Sequence, residues 1–155
     1  FLYGAGAFKI GNIVGQGRSA GQALINRFLD RLPSLDLLRK QVTEASAKGS
    51  LKGLDGRRLK IRSQHSALNT LIQGAGAVVC KQWLVHIMEK AITEKLDVKL
   101  VASIHDEYQF EVLNKDVERF CKITKEAIHE TTKTLDLKCP LDNEYNVGTT
   151  WLETH

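Results

Sequence analysis

The chain has 155 residues, 43% of them hydrophobic and 26% charged, enough apolar material for one core and too little bias for a disordered segment. No apolar run approaches the roughly 20 residues that cross a bilayer, so no membrane association is expected. A formal charge of +4 is compatible with a polyanionic partner without identifying one. Cys80, Cys121 and Cys139 are odd in number, far apart and without metal-ligand spacing, which predicts reduced thiols in a cytoplasmic setting. The chain opens on Phe1 with no signal-peptide pattern, as though it begins inside a longer sequence.

Five glycines within residues 1–17 (Gly4, Gly6, Gly11, Gly15, Gly17), with apolar residues between them, predict a helical corner. From Ser19 to about Lys48 the apolar residues follow helical spacing, and Pro33 breaks the run into two helices. Ser50 to Arg62 passes through Gly53-Leu54-Asp55-Gly56 into alternating Arg58-Leu59-Lys60-Ile61-Arg62, the pattern of a basic β-hairpin. His65 to about Leu96 is Pro-free and apolar at helical spacing, with Leu68, Leu71, Ile72, Val79, Trp83 and Ile87 as the expected buried stripe of a central helix. Val98–Ile104 and Tyr108–Val112 read as two strands joined by a tight turn at His105-Asp106-Glu107. Asp116 to about Leu135 is an amphipathic helix, followed by an irregular or strand-like tail. The order predicts an α+β fold in which antiparallel β-hairpins pack against helices.

Three groups of residues point to chemistry. His105-Asp106-Glu107 places two carboxylates and an imidazole on a turn between apolar strands, where a fixed carboxylate suits a hard divalent cation of a two-metal phosphoryl-transfer site. Acidic residues at hairpin turns are also ordinary solvated turn formers. His65, Asn69 and Gln73 line one helix face at i, i+4 and i+8 with Arg62 leading in, a row able to test base-pair geometry in the minor groove or simply to face water. Gly74 and Gly76 inside that helix suggest that something approaches closely. Lys52, Arg57, Arg58, Lys60 and Arg62 oppose only Asp55 within eleven residues. Alternation sets Arg58, Lys60 and Arg62 on one strand face, suited to a phosphate backbone or equally to an edge strand protected by charge.

Together and in this order the segments resemble the C-terminal part of family A DNA polymerases, most closely the phage replicative enzymes and more distantly bacterial polymerase I. Phe1-Leu2-Tyr3-Gly4-Ala5-Gly6 resembles the end of the fingers helix, which implies that Tyr3 lies beside the templating base. Gly53 to Arg58 resembles the hairpin before the palm helix, and His65 to Gln73 resembles the start of that helix, where Asn69 and Gln73 are implied to contact primer-template DNA. Val101 to Glu107 resembles the third polymerase motif, with Asp106 implied to bind catalytic magnesium, Glu107 to support the site and His105 to lie near the primer terminus. Gly148 to His155 resembles the family's terminus. The resemblance implies fingers helices over about 1–48 and palm over about 49–155. Its partners would be primer-template DNA, deoxynucleoside triphosphates and the missing N-terminal part of the polymerase, including a second aspartate. The isolated chain is therefore expected not to extend a primer. A non-catalytic duplex-DNA-binding module and one subunit of a split polymerase are the competing readings.

Overall fold

The computed structural model describes residues 5–154, which divide between Ala75 and Gly76 into two compact units. The first unit begins with α1 (Ala7–Ile13) and α2 (Gly17–Arg31). α1 ends in a Schellman turn: the Gln16 amide donates to Gly11 O at 2.9 Å and the Gly15 amide to Asn12 O at 3.1 Å, with Gly15 at φ 69°. Gly21 of α2 meets the α1 backbone so closely that a Cβ there would lie 1.9 Å from Ala7 O. Ile25 and Leu29 continue the buried stripe of α2. Pro33 takes the first position of α3 (Pro33–Ser46), where its missing N–H costs nothing.

β1 (Ser50–Lys52) and β2 (Arg58–Lys60) pair antiparallel, with Leu51 opposite Leu59. The Asp55-Gly56 turn lies within a five-residue loop, closed by the Gly53 amide on Arg57 O at 2.8 Å, with Gly56 at φ 83°. Val42, Leu51 and Ala67 form the buried centre of this unit, flanked by Leu59, Ile61, Leu68 and Leu71. The expected central helix begins with a 3₁₀ turn at Gln64–Ser66 and continues as α4 (Ala67–Thr93), so His65 precedes the α-helix proper.

The second unit contains the rest of α4, β3 (Val98–Ile104), β4 (Glu107–Val112), α5 (Val117–Thr134) and α6 (Trp151–Thr154). Its core joins Ile87 and Ala91 of α4 to Phe120, Ile123 and Ala127 of α5, with Trp83, Leu96, Val98, Phe110 and Val112 packed around them. The C-terminal tail, expected to be irregular or strand-like, instead closes with α6. There Glu153 accepts the amides of Thr149 and Thr150 at 2.5 and 3.3 Å and so satisfies the orphan donors of a short helix start. β3 and β4 pair antiparallel with one irregularity: Leu100 faces Phe110 but Ala102 faces Gln109, leaving Val101 as the extra residue of a β-bulge. β3 is less rooted than its apolar sequence suggests, since Val101 is 64% exposed. Among the described residues no helix is long and apolar enough to cross a membrane.

Candidate active site

The two strands of the second hairpin are joined by only His105 and Asp106, because Glu107 is already the first residue of β4. The expected three-residue turn is therefore shorter by one. A two-residue hairpin loop needs positive φ, and His105 supplies it at 53°. Asp106 is exposed and has no ion-pair partner among the described residues.

Beneath the turn lies a ladder of aromatic rings. Trp83 and Tyr108 are 5.5 Å apart, Tyr108 and Phe110 6.4 Å, and Phe110 meets Phe120 edge-on at 4.9 Å. The Trp83 indole donates to Thr124 O at 2.9 Å, tying α4 to α5. Such pairs anchor β4 in the core, so the turn is held by a packed base. Burial pushes the Cys80 thiol above its ordinary range, and the nearby Asp106 charge pushes it further. Burial also raises the Tyr108 hydroxyl, with the Cys80 charge adding to the rise and a hydrogen bond with Ser103 opposing it. Both influences favour the neutral form of this thiol close to the turn.

Glu107 is half-buried and accepts a hydrogen bond from the Gln109 amide, while Gln109 Oε1 accepts from the Thr154 hydroxyl at 3.1 Å. Asp106, Glu107, Gln109, Tyr145, Trp151 and Thr154 lie along a groove of about 650 Å³. No group of three or more His, Cys, Asp or Glu side chains able to enclose a metal occurs among the described residues.

In the first unit, Asn69 and Gln73 stand one turn apart on α4, with His65 on the preceding 3₁₀ turn. Gln73 and His65 are exposed, whereas Asn69 is half-buried and its Oδ1 has no hydrogen-bond partner among the described residues. The close approach expected at Gly74 is made by Leu59 of β2, 3.4 Å from where a Cβ would stand, so hairpin packing accounts for that glycine. Nothing described lies within 4 Å of a Cβ at Gly76. Arg58, Lys60 and Arg62 are exposed at alternate positions. Arg57 is turned back on its own loop, its Nε 2.5 Å from Asp55 Oδ2, and Arg58 Nε donates to Ser50 Oγ at 2.8 Å. Tyr3 lies outside the described residues.

The structure thus brings His105, Asp106 and Glu107 together in one unit and the Arg58–Gln73 surface in the other. Sequence reasoning missed Gln109 and Thr154. Gln109 had a signal, since it sits two residues after Glu107 on one strand face; nothing in the sequence singled out Thr154.

A profile of DNA polymerase family A matches residues 1–153. The DNA-directed DNA polymerases of Enterobacteria phage T3 and Escherichia phage Phieco32 are 34% and 36% identical to all of this chain, which spans 25% and 26% of their lengths. DNA polymerase I of Pseudomonas aeruginosa is 30% identical over 99% of the chain, which spans 18% of that protein. Among solved structures, the POL domain of Pol1 from M. smegmatis, in complex with DNA primer-template and dNTP, superposes with a TM-score of 0.76. The match is at 19% identity and covers 84% of this chain and 25% of that one. The chain spans about a quarter of the phage relatives it matches, and it belongs to DNA polymerase family A.

Proposed function

We propose that this chain supplies part of the active site of a template-directed DNA polymerase, with residues up to about 48 completing the fingers and about 49–155 forming palm. The observation that carries the reading is Asp106: an exposed carboxylate without an ion-pair partner among the described residues, on a two-residue turn seated on an aromatic base. Asp106 would hold magnesium through its carboxylate together with an aspartate from outside these residues. When bound, the two-ion centre stabilises the attacking and leaving oxygens of nucleotidyl transfer. Glu107 supports the turn from β4, and His105 faces the primer terminus.

Asn69 and Gln73 hold the nascent duplex, and Asn69 Oδ1, which has no hydrogen-bond partner among the described residues, supports this because it can accept from a donor on the DNA. Tyr3 sits beside the templating base, and His65, Arg57, Arg58 and Arg62 contact the DNA. Of the three arginines, Arg57 must first leave Asp55. The partners are primer-template DNA, deoxynucleoside triphosphates and the remainder of the polymerase, and the place of action is the cytoplasm of a bacterium or phage-infected cell.

The test has two arms. Manganese titrated into the chain is expected to bind weakly, and Asp106→Ala is expected to abolish that binding. In the polymerase containing this segment the same substitution is expected to slow nucleotide addition by roughly 10³-fold, the equivalent of about 4 kcal/mol. Unchanged manganese binding together with unchanged synthesis would refute the assignment. The exposed row Arg58, Lys60 and Arg62 favours a second reading, a duplex-binding module without catalysis. Metal-indifferent, salt-sensitive DNA binding would support that reading instead.

A further inference from the structure

Glu107 and Gln109 occupy alternate positions of β4 and project from the hairpin face opposite Phe110 and Val112, which pack on the core. An ionised carboxylate can only accept hydrogen bonds, so the Gln109 amide group must present its NH₂ to Glu107 and its oxygen to the Thr154 hydroxyl. The amide is thereby fixed at both ends. Thr154 belongs to α6, and its hydroxyl lies 3.1 Å from both Gln109 Oε1 and Trp151 O. With one proton to give, it either closes its own helical turn or anchors Gln109.

We propose that Gln109 is a positioning residue, holding the Glu107 side chain on its own strand face and away from Asp106, with Thr154 of α6 as its anchor. The inference rests on the polymerase reading above and extends it: the short C-terminal helix acts on the site through one side-chain amide. Two carboxylates on consecutive residues repel, and the Gln109 amide opposes that repulsion by holding Glu107 on its own strand face. A neutral donor at Gln109 holds Glu107 in place without adding a charge that would compete for the cation.

In the polymerase containing this segment, Gln109→Met keeps the length and removes both hydrogen bonds. Nucleotide addition is expected to slow roughly 10-fold in kcat, as for other outer-shell partners, with KM for the nucleotide and affinity for primer-template within about twofold. Combined with Glu107→Gln, it is expected to add no further loss, because a residue acting only through Glu107 has nothing left to position. Additive losses, or an effect confined to KM, would overturn the proposal.

A structural readout on the 155-residue chain stands apart from activity. In NMR spectra of the side-chain amides, Glu107→Gln and Thr154→Val are each expected to shift the Gln109 resonances. If neither moves them, the relay does not exist, whether or not the polymerase reading holds. An inactive wild-type polymerase whose Gln109 resonances respond would sink the polymerase reading and leave the relay standing. Should Gln109→Met fail to fold by circular dichroism, Thr154→Val provides the kinetic arm, with a smaller loss in the same direction expected.

Discussion

Gly21→Ala tests a close backbone contact between α1 and α2. The new Cβ would stand 1.9 Å from Ala7 O and 2.6 Å from the Gly11 amide nitrogen. A carbon and an oxygen in ordinary contact are about 3.3 Å apart, so α1 and α2 must separate by roughly 1.4 Å. The obstructing atoms are main chain and cannot rotate away. Overpacking of this kind typically costs about 1–3 kcal/mol, and here the upper end applies. The penalty has a ceiling, however. α1 buries only Gly11, while Phe8 is 65% and Ile13 75% exposed, so releasing the helix sacrifices little apolar contact. The variant is therefore expected to lose α1 locally and leave the Val42, Leu51 and Ala67 cluster intact. Hydrogen exchange separates these outcomes: amides of Ala7–Ile13 should lose protection, and those of α3 and the β1–β2 hairpin should not. Gly6→Ala, whose Cβ meets nothing within 4 Å, is the control. Undiminished protection of α1 in Gly21→Ala would refute the reasoning.

Other expectations rest on separate features. Lys95 holds φ 57° where α4 ends, with the Leu96 amide returning to Ala91 O at 2.9 Å; Lys95→Gly is expected to stabilise the second unit by about 1 kcal/mol in urea denaturation. Hydrogen bonds from Arg119 hold the Glu94 and Glu126 carboxyls below the ordinary glutamate range. A depressed folded-state value means that this stabilisation is fully present above the unfolded value and is lost as pH falls through the folded one. The stability difference between wild type and Arg119→Met should accordingly be largest near neutrality and vanish well below the ordinary glutamate value of about 4.3, as a series of denaturation curves would show. Replacing Arg58, Lys60 and Arg62 by Gln should flatten the dependence of log DNA affinity on log salt by about 0.9 for each phosphate that is no longer neutralised, and an unchanged slope would remove these residues from the interface.

Much of the fold was legible because its signals are local. Pro33, the glycine corner, the Asp55-Gly56 turn and the apolar spacing of α4 and α5 each act within a few residues, and the structure follows them. What escaped the sequence depends on distant partners. Gly74 advertised a close approach, but only the fold reveals Leu59 as the neighbour. Glu107 reads as part of the turn until the register assigns it opposite Ile104. The helix at Trp151–Thr154 is too short to show a period and depends on Glu153 satisfying the amides before it. Asp106 was legible as a candidate because apolar residues bracket it on both sides. The aromatic base beneath it was not, because Trp83, Tyr108 and Phe120 come from three separate elements.

The extra residue at Val101 has an arithmetic consequence. Below it, Val98 and Leu100 lie opposite Val112 and Phe110; beyond it, Ala102 and Ile104 lie opposite Gln109 and Glu107, so even-numbered residues change sides partway along one strand. Removing Val101 itself would restore an unbroken count and leave every other cross-strand pair, and so the facing of both base and tip, as it is. A length-preserving substitution at Val101 keeps the extra residue whatever its chemistry, whereas its deletion removes the bulge and leaves the remaining register unbroken.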